Sequence, residues 1–240
     1  MSMSKLPLRD YVRLLTESLS SYSFPCVTFD FGHDRARCHE TMREVEDCIA
    51  AALCSKSVAD VRDGLSNVLF WGHARHGARD FRVRTFRSNM ISADGRLVRF
   101  QEFVRSRPEQ CAADRLVELK KLRLPAFGQM SFATKILMFL DPEYYPVLDL
   151  KIARAFAAAE FPPLQGLTFG TSVPITKANA IRYERWACWC RRIATRVNRE
   201  AGQALRTADV ERALFALADA EQADNARDLL LGPSTTRPTG

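Results

Sequence analysis

Apolar residues recur at three- and four-residue intervals along most of the chain, and that spacing predicts helices nearly throughout. Asp10 to Ser20 carries Tyr11, Leu14, Leu15 and Leu19 in this rhythm, and Thr41 to Leu53 places Val45, Cys48, Ile49 and Ala52 on one face. Ser57, followed three residues later by Asp60, reads as an N-cap for a helix whose Val58, Val61, Leu65, Val68 and Leu69 run toward Gly72. Leu97 to Val104 and Ala112 to Leu122 are further helices, separated by Pro108. Another begins near Ser131 and passes through Ile136, Leu137 and Leu140. A long helix from Ala178 to Glu200 has a stripe of Tyr183, Trp186, Cys190, Ile193 and Val197 to bury. Thr207 is expected to cap a helix carrying Val210, Leu214 and Leu217, and a short one ends near Leu231. Phe24 to Phe31 alternates and is rich in aromatic and β-branched residues, which suggests a brief strand. No period is visible from Gly72 to Arg87, and Pro162, Pro163, Gly166 and Gly170 mark a loop. Gly232 to Gly240 has nothing to bury and is expected to be a flexible tail. The fold class is therefore mainly α with at most a minor β element.

Composition adds a partner class but does not decide it. The 240 residues are 47% hydrophobic, enough for an ordinary core, and 35 Lys and Arg against 28 Asp and Glu give a net charge of +7. That balance favours a polyanion over a membrane surface or an acidic substrate, through counterion release. Positive charge concentrates at Arg75, Arg79, Arg82, Arg84 and Arg87, opposed locally by Asp80. Seven scattered cysteines with no secretory signal before them read as reduced thiols, so the expected location is cytoplasmic. No stretch approaches the ~20 apolar residues that span a bilayer, and no membrane partner is expected.

The candidate chemistry lies in the middle of the chain. Helix Ala112 to Leu122 runs into Leu124-Pro125-Ala126-Phe127-Gly128, after which the next helix starts. A tight turn between two helices exposes backbone N–H groups at a positive helix end, which suits a DNA phosphate. The commoner meaning of such a turn is a packing corner. Asp141-Pro142-Glu143-Tyr144-Tyr145-Pro146-Val147-Leu148-Asp149 then ends that second helix, crosses a short Pro-containing loop and opens another helix at Asp149. Breaking an N-glycosidic bond builds positive charge on the sugar, and a fixed carboxylate nearby stabilises it while orienting water.

This order of hairpin, helix, Pro-containing loop and Val-x-Asp resembles the helix-hairpin-helix DNA glycosylase superfamily. The compact members with the oxoguanine glycosylase fold are most similar, because Leu69-Phe70-Trp71-Gly72 and an Arg-rich segment precede the hairpin. The resemblance implies one two-lobed domain over residues 1–231, with the hairpin and the aspartate in a lobe at about 105–160. It implies DNA as partner, a monomer, and Asp149 as the catalytic residue facing the sugar of an extruded nucleotide. The DNA backbone would be held by Ala126, Gly128, Met130 and Ser131, with Lys151, Arg82 and Arg84 adding charge. The flipped base needs flat apolar walls, for which Trp71, Phe70, His73, Phe127, Tyr144 and Tyr145 are candidates.

Two departures shape the expected chemistry. Ala126 stands where the first hairpin glycine is usual, and Met130 stands where bifunctional members carry a catalytic lysine. The resemblance therefore implies a monofunctional hydrolase leaving an abasic site. Lys135 and Lys151 lie nearby and stay open as alternative lyase nucleophiles, although Lys135 reads rather as solvated and Lys151 as phosphate-facing. Cys188-x-Cys190 is too sparse for an iron–sulfur cluster, and no cofactor is expected. His33, Cys38, His39 and Glu40 match no zinc spacing and read as surface or packing residues; a metal hydrolase built on His33, His39 and Glu40 is a distant alternative. His73 and His76 around Arg75 are open to DNA contact or to a plain basic turn. The Asp141 to Asp149 wording is also similar to antiphage glycosylases that remove glucosylated hydroxymethylcytosine, which implies a defence role. Alternatives are repair of an oxidised or alkylated base, and a DNA-binding module without catalysis.

Overall fold

The computed structural model describes residues 5–91, 94–106, 111–157, 161–219 and 223–233. Among them the chain forms helices α1 (Leu8–Ser20), α2 (Met42–Leu53), α3 (Val58–Gly72), α4 (Arg79–Met90), α5 (Asp94–Arg105), α6 (Ala112–Lys121), α7 (Met130–Leu140), α8 (Leu150–Phe156), α9 (Lys177–Ala201), α10 (Thr207–Asp219) and α11 (Ala223–Leu231). A two-stranded antiparallel hairpin, β1 (Val27–Asp30) with β2 (Arg35–Cys38), is the minor β element. The class is mainly α. Pro108 and most of the Gly232 to Gly240 tail lie outside the described residues. No described helix is long and apolar enough to cross a membrane.

Helix α7 is the axis of the packing. It buries Met130 and every residue from Ala133 to Phe139, so it is covered on all sides, as an apolar helix without a polar face must be. Helices α2, α3 and α6 pack on it, and α9 lies along α6. Helix α1 packs against α10, α9 and α11, where the Tyr11 hydroxyl donates to the Leu229 carbonyl at 3.0 Å. Thr41, Ser57 and Thr176 cap α2, α3 and α9 by accepting from the N–H three residues on.

Two expectations are corrected. The segment before Arg87 is not patternless: residues 79–90 form α4, with Val83, Phe86 and Met90 buried. Three apolar positions are a thin stripe, but the arginines widen it. The Arg79 guanidinium lies 4.0 Å from the Phe70 ring centre and that of Arg87 3.9 Å from Phe31, so residues counted as polar do apolar packing. Thr207 is not a cap either, because it is the first residue of α10 and its hydroxyl donates to the Glu143 carbonyl. The neighbouring Arg206 N–H is instead satisfied by the Asp209 carboxylate at 3.0 Å.

Helix α10 is fastened to α2 by a buried ionic knot. Glu46 of α2 accepts from both Arg206 and Arg212. Asp209 accepts from Arg206 at 2.9 Å and from Arg212 at 3.3 Å. Burial opposes the charge on Asp209, but the Arg206 hydrogen bonds and the fields of Arg206 and Arg212 outweigh it and hold the carboxyl below its ordinary range. Glu46→Ala would leave two guanidiniums buried beside one carboxylate. The expected loss is about 3–5 kcal/mol of unfolding free energy, read by urea denaturation; a loss below about 1 kcal/mol would show that the knot is dispensable.

Candidate active site

The loop between α7 and α8 is held at nearly every peptide. The Tyr183 hydroxyl and the Trp186 indole N–H, both buried on α9, donate to the Pro146 and Val147 carbonyls at 3.0 Å each. The Leu148 N–H donates to Thr134 Oγ1 of α7 at 3.1 Å, and the Val147 N–H bonds the Glu211 carboxyl. Earlier in the loop, the Pro142 carbonyl accepts from the Ala208 N–H of α10 at 3.0 Å. The strap ends at Asp149, the N-cap of α8, whose Oδ1 accepts from the Lys151 and Ile152 N–H groups at 2.9 and 3.0 Å. Asp149 therefore stands on a frame fixed from α7, α9 and α10 at once.

Asp149 opens onto a narrow recess of about 50 Å³ where five parts of the chain meet. Tyr22 and Phe24 come from the segment after α1, Trp71 and Gly72 from the end of α3, and Lys135 and Met138 from α7. Val147 and Asp149 come from the strap, and Glu211, Arg212 and Phe215 from α10. The aromatic wall is continuous: the Phe24 ring lies 4.7 Å from Trp71 and 6.2 Å from Phe215, and Tyr22 lies 5.9 Å from Phe215. Flat apolar walls around two carboxyls and an amine suit a planar heterocycle with polar edges.

Of the residues the sequence proposed for a base pocket, the structure places Trp71 in the recess and the others elsewhere. Phe70, one residue earlier on α3, points into a separate groove with Phe29, Phe31, Val83 and Arg84. Consecutive helical residues diverge by about 100°, which here turns the Phe70 ring away from the wall that Trp71 joins. Phe127 is buried against Phe86 of α4 and Phe132 of α7. Tyr145 is buried, and Tyr144 lies under the Arg191 guanidinium at 3.7 Å. His73 caps α3 beside Phe132. Burial first, then Arg82, His76 and Lys135, hold its imidazole down to about 4, so it is neutral at physiological pH. Tyr22, Phe24, Glu211 and Phe215 were missed. Only the four-residue spacing of Glu211 and Phe215 on one helix face was there to be read.

Lys135 is also corrected. It is 7% exposed rather than solvated, its Nζ donating to the Ser131 carbonyl at 3.3 Å and lying 5.3 Å from the Phe132 ring centre. Its stem helps bury Gly72: a Cβ built there would meet Phe132 at 2.5 Å and Lys135 at 3.2 Å. Gly72 thus brings α3 onto α7 rather than making room for a ligand.

The hairpin from Arg123 to Gln129 alternates between core and surface. Leu124, Phe127 and Met130 are buried, while Ala126, Gly128 and Gln129 are exposed. Ala126 adopts φ +66°, the left-handed region a glycine would occupy at a cost lower by about 1–2 kcal/mol. Met130 does not share the exposed position of its neighbours. Its side chain is fully buried and its N–H donates to the Val173 carbonyl at 2.9 Å, which removes it from the set of backbone-binding groups. Ser131 is half-buried in the first turn of α7. Arg82 and Arg84 are exposed on α4, which touches the hairpin through Phe86 and Phe127, and Lys151 is exposed at the start of α8. His33 and His39 diverge, His33 bonding Asp30 at 3.0 Å and His39 bonding Thr28 at 2.8 Å. All seven cysteines are free thiols.

A family model described as "Putative 8-oxoguanine DNA glycosylase OGG-like protein" matches residues 42–215. No curated protein and no solved structure matches the chain. The matched span runs from the first residue of α2 to Phe215 and so contains every recess residue except Tyr22 and Phe24. Gly72→Ala would force α3 and α7 apart at the base of this recess. The expected cost is about 1–3 kcal/mol in chemical denaturation, and an unchanged midpoint would show that Phe132 swings aside freely.

Proposed function

Because the chain belongs to the OGG-like family of DNA glycosylases over most of its length, we propose that it hydrolyses the N-glycosidic bond of a modified base turned out of duplex DNA. The observation that carries this reading is Asp149, the cap of α8, lining an aromatic recess. The base stacks between the aromatic walls, which places the sugar at the mouth beside the carboxylate. Asp149 then stabilises the positive charge that grows on C1′ and orients the water that attacks it. The exposed hairpin at Ala126 and Gly128, with Ser131, Lys151, Arg82 and Arg84, meets the phosphates on either side. In this reading the protein acts as a monomer, with its hairpin lobe and its remaining helices closing around the base.

Met130, buried at the position of the usual nucleophilic lysine, supports a monofunctional reaction that leaves an abasic site. The Lys135 amine is engaged by Ser131, so borohydride should trap no covalent adduct with DNA; an adduct would sink the monofunctional reading. For the substrate, the Asp141 to Asp149 wording supports glucosylated hydroxymethylcytosine of phage DNA and a defence role. The description of the matched family favours a second reading, excision of an oxidised purine. Mass spectrometry of the bases released from modified phage genomes and from an 8-oxoguanine duplex separates the two.

Asp149→Asn should slow single-turnover base release by about 10²-fold or more while leaving DNA affinity nearly intact. Unchanged turnover would remove Asp149 from the reaction. Arg82→Ala and Arg84→Ala should each weaken binding and lower the salt-dependence slope by about 1. An unchanged slope would place α4 away from the DNA.

A further inference from the structure

The recess contains a second carboxyl that this mechanism does not use. Glu211 is 4% exposed, one turn before Phe215 on α10, and lines the same wall as Asp149. The groups facing it are Asp149 from the strap, Lys135 from α7, Arg212 from its own helix and the Val147 N–H. Tyr22 faces it from the segment after α1. Neither cation is devoted to it. Arg212 is committed to Glu46 and Asp209, and Lys135 donates to the Ser131 carbonyl. Among the described residues Glu211 forms no ion pair.

Two carboxyls open to one enclosed space cannot both ionise cheaply, and environment decides which keeps its proton. Asp149 receives two backbone N–H bonds at a helix start, whereas Glu211 is deeply buried and receives one. Burial first, and then the Asp149 charge, push the Glu211 carboxyl up to about 8, with Arg212, Lys135 and the Val147 N–H offsetting only part of the rise. At neutral pH Glu211 therefore keeps its proton.

We propose that Glu211 is a second catalytic residue, the proton-bearing carboxyl that hydrogen-bonds the extruded base and protonates it as the C1′–N bond breaks. This rests on the glycosylase reading above. A neutral carboxyl offers a donor beside an acceptor, so it pairs with a base edge that presents a lone pair next to an N–H, an arrangement cytosine-type bases and oxidised purines both possess. As the C1′–N bond breaks, its electron pair leaves on the base and the Glu211 proton neutralises it. Water adds to C1′, losing its proton to Asp149. The products are the neutral base and a sugar hydroxyl. The proton on Asp149 returns to Glu211 directly or through solvent, which restores the pair.

The test is single-turnover base release followed across pH 6 to 9.5 or so, the range around the Glu211 transition, by wild type and Glu211→Gln. The probes are an 8-oxoguanine duplex and phage DNA bearing glucosylated hydroxymethylcytosine. The wild-type rate should fall as pH rises through about 8. Glu211→Gln should be slower by about 10²-fold, lack that alkaline limb and bind DNA as before. Stability supplies a readout independent of turnover. The unfolded carboxyl ionises at 4.5 and the folded one near 8, so wild-type stability falls as pH rises through that window. The glutamine variant lacks this loss, so its melting temperature should exceed the wild-type value at pH near 8 and match it below about 4.5. A glutamine variant with the wild-type rate and alkaline limb overturns the proposal while leaving hydrolysis at Asp149 standing. A wild type without an alkaline limb overturns it even if the variant fails to fold. No release from either probe by wild type overturns the whole reading of the site and this assignment with it.

Discussion

The arrangement depends on four charges buried between α2 and α10. Glu46 and Asp209 neutralise Arg206 and Arg212 with almost no solvent present, so the knot holds only while all four side chains keep their geometry. A hydrophobic contact tolerates sliding, and this does not. Its consequence is to fix the rotation of α10. With Arg212 turned toward α2, Glu211 and Phe215 must face the recess, and a helix rotated by one residue would bury the arginine without partners.

A second fixed element meets the first across the recess. The strap from Pro146 to Leu148 has its backbone groups taken by Tyr183, Trp186, Thr134 and Glu211. Three of these partners are rigid for reasons of their own: the two aromatics belong to the fully buried stripe of α9, and Thr134 lies inside α7. Asp149 is thus positioned by the core rather than by a surface loop. Glu211 belongs to both systems, since it closes the strap and lines the site.

How much of this could be read in the sequence follows from how local each feature is. The caps at Ser57 and Asp149, the helices with full apolar stripes and the hairpin at Leu124 to Gly128 are written in adjacent residues, and they stand where the spacing put them. Helix α4 escaped because arginine stems complete its buried face, and composition scores them as charge. The walls of the recess escaped for a different reason. Phe70 and Trp71 are equivalent in composition, and only the phase of α3 against α7 separates core from site. Tyr22, Lys135 and Glu211 converge from segments nearly two hundred residues apart, a relation no local pattern carries.

The first and last of these segments meet in space. Helix α1 lies against α10 and α11, and the aromatic wall joins Tyr22 and Phe24 to Phe215. During synthesis the hairpin can take shape from neighbouring chain, but the strap waits for α9 and α10, and the wall cannot close before residue 215 has left the ribosome. A growing chain therefore holds its hairpin before it holds its recess. The recess rests on contacts that join segments nearly two hundred residues apart, the kind that form slowly.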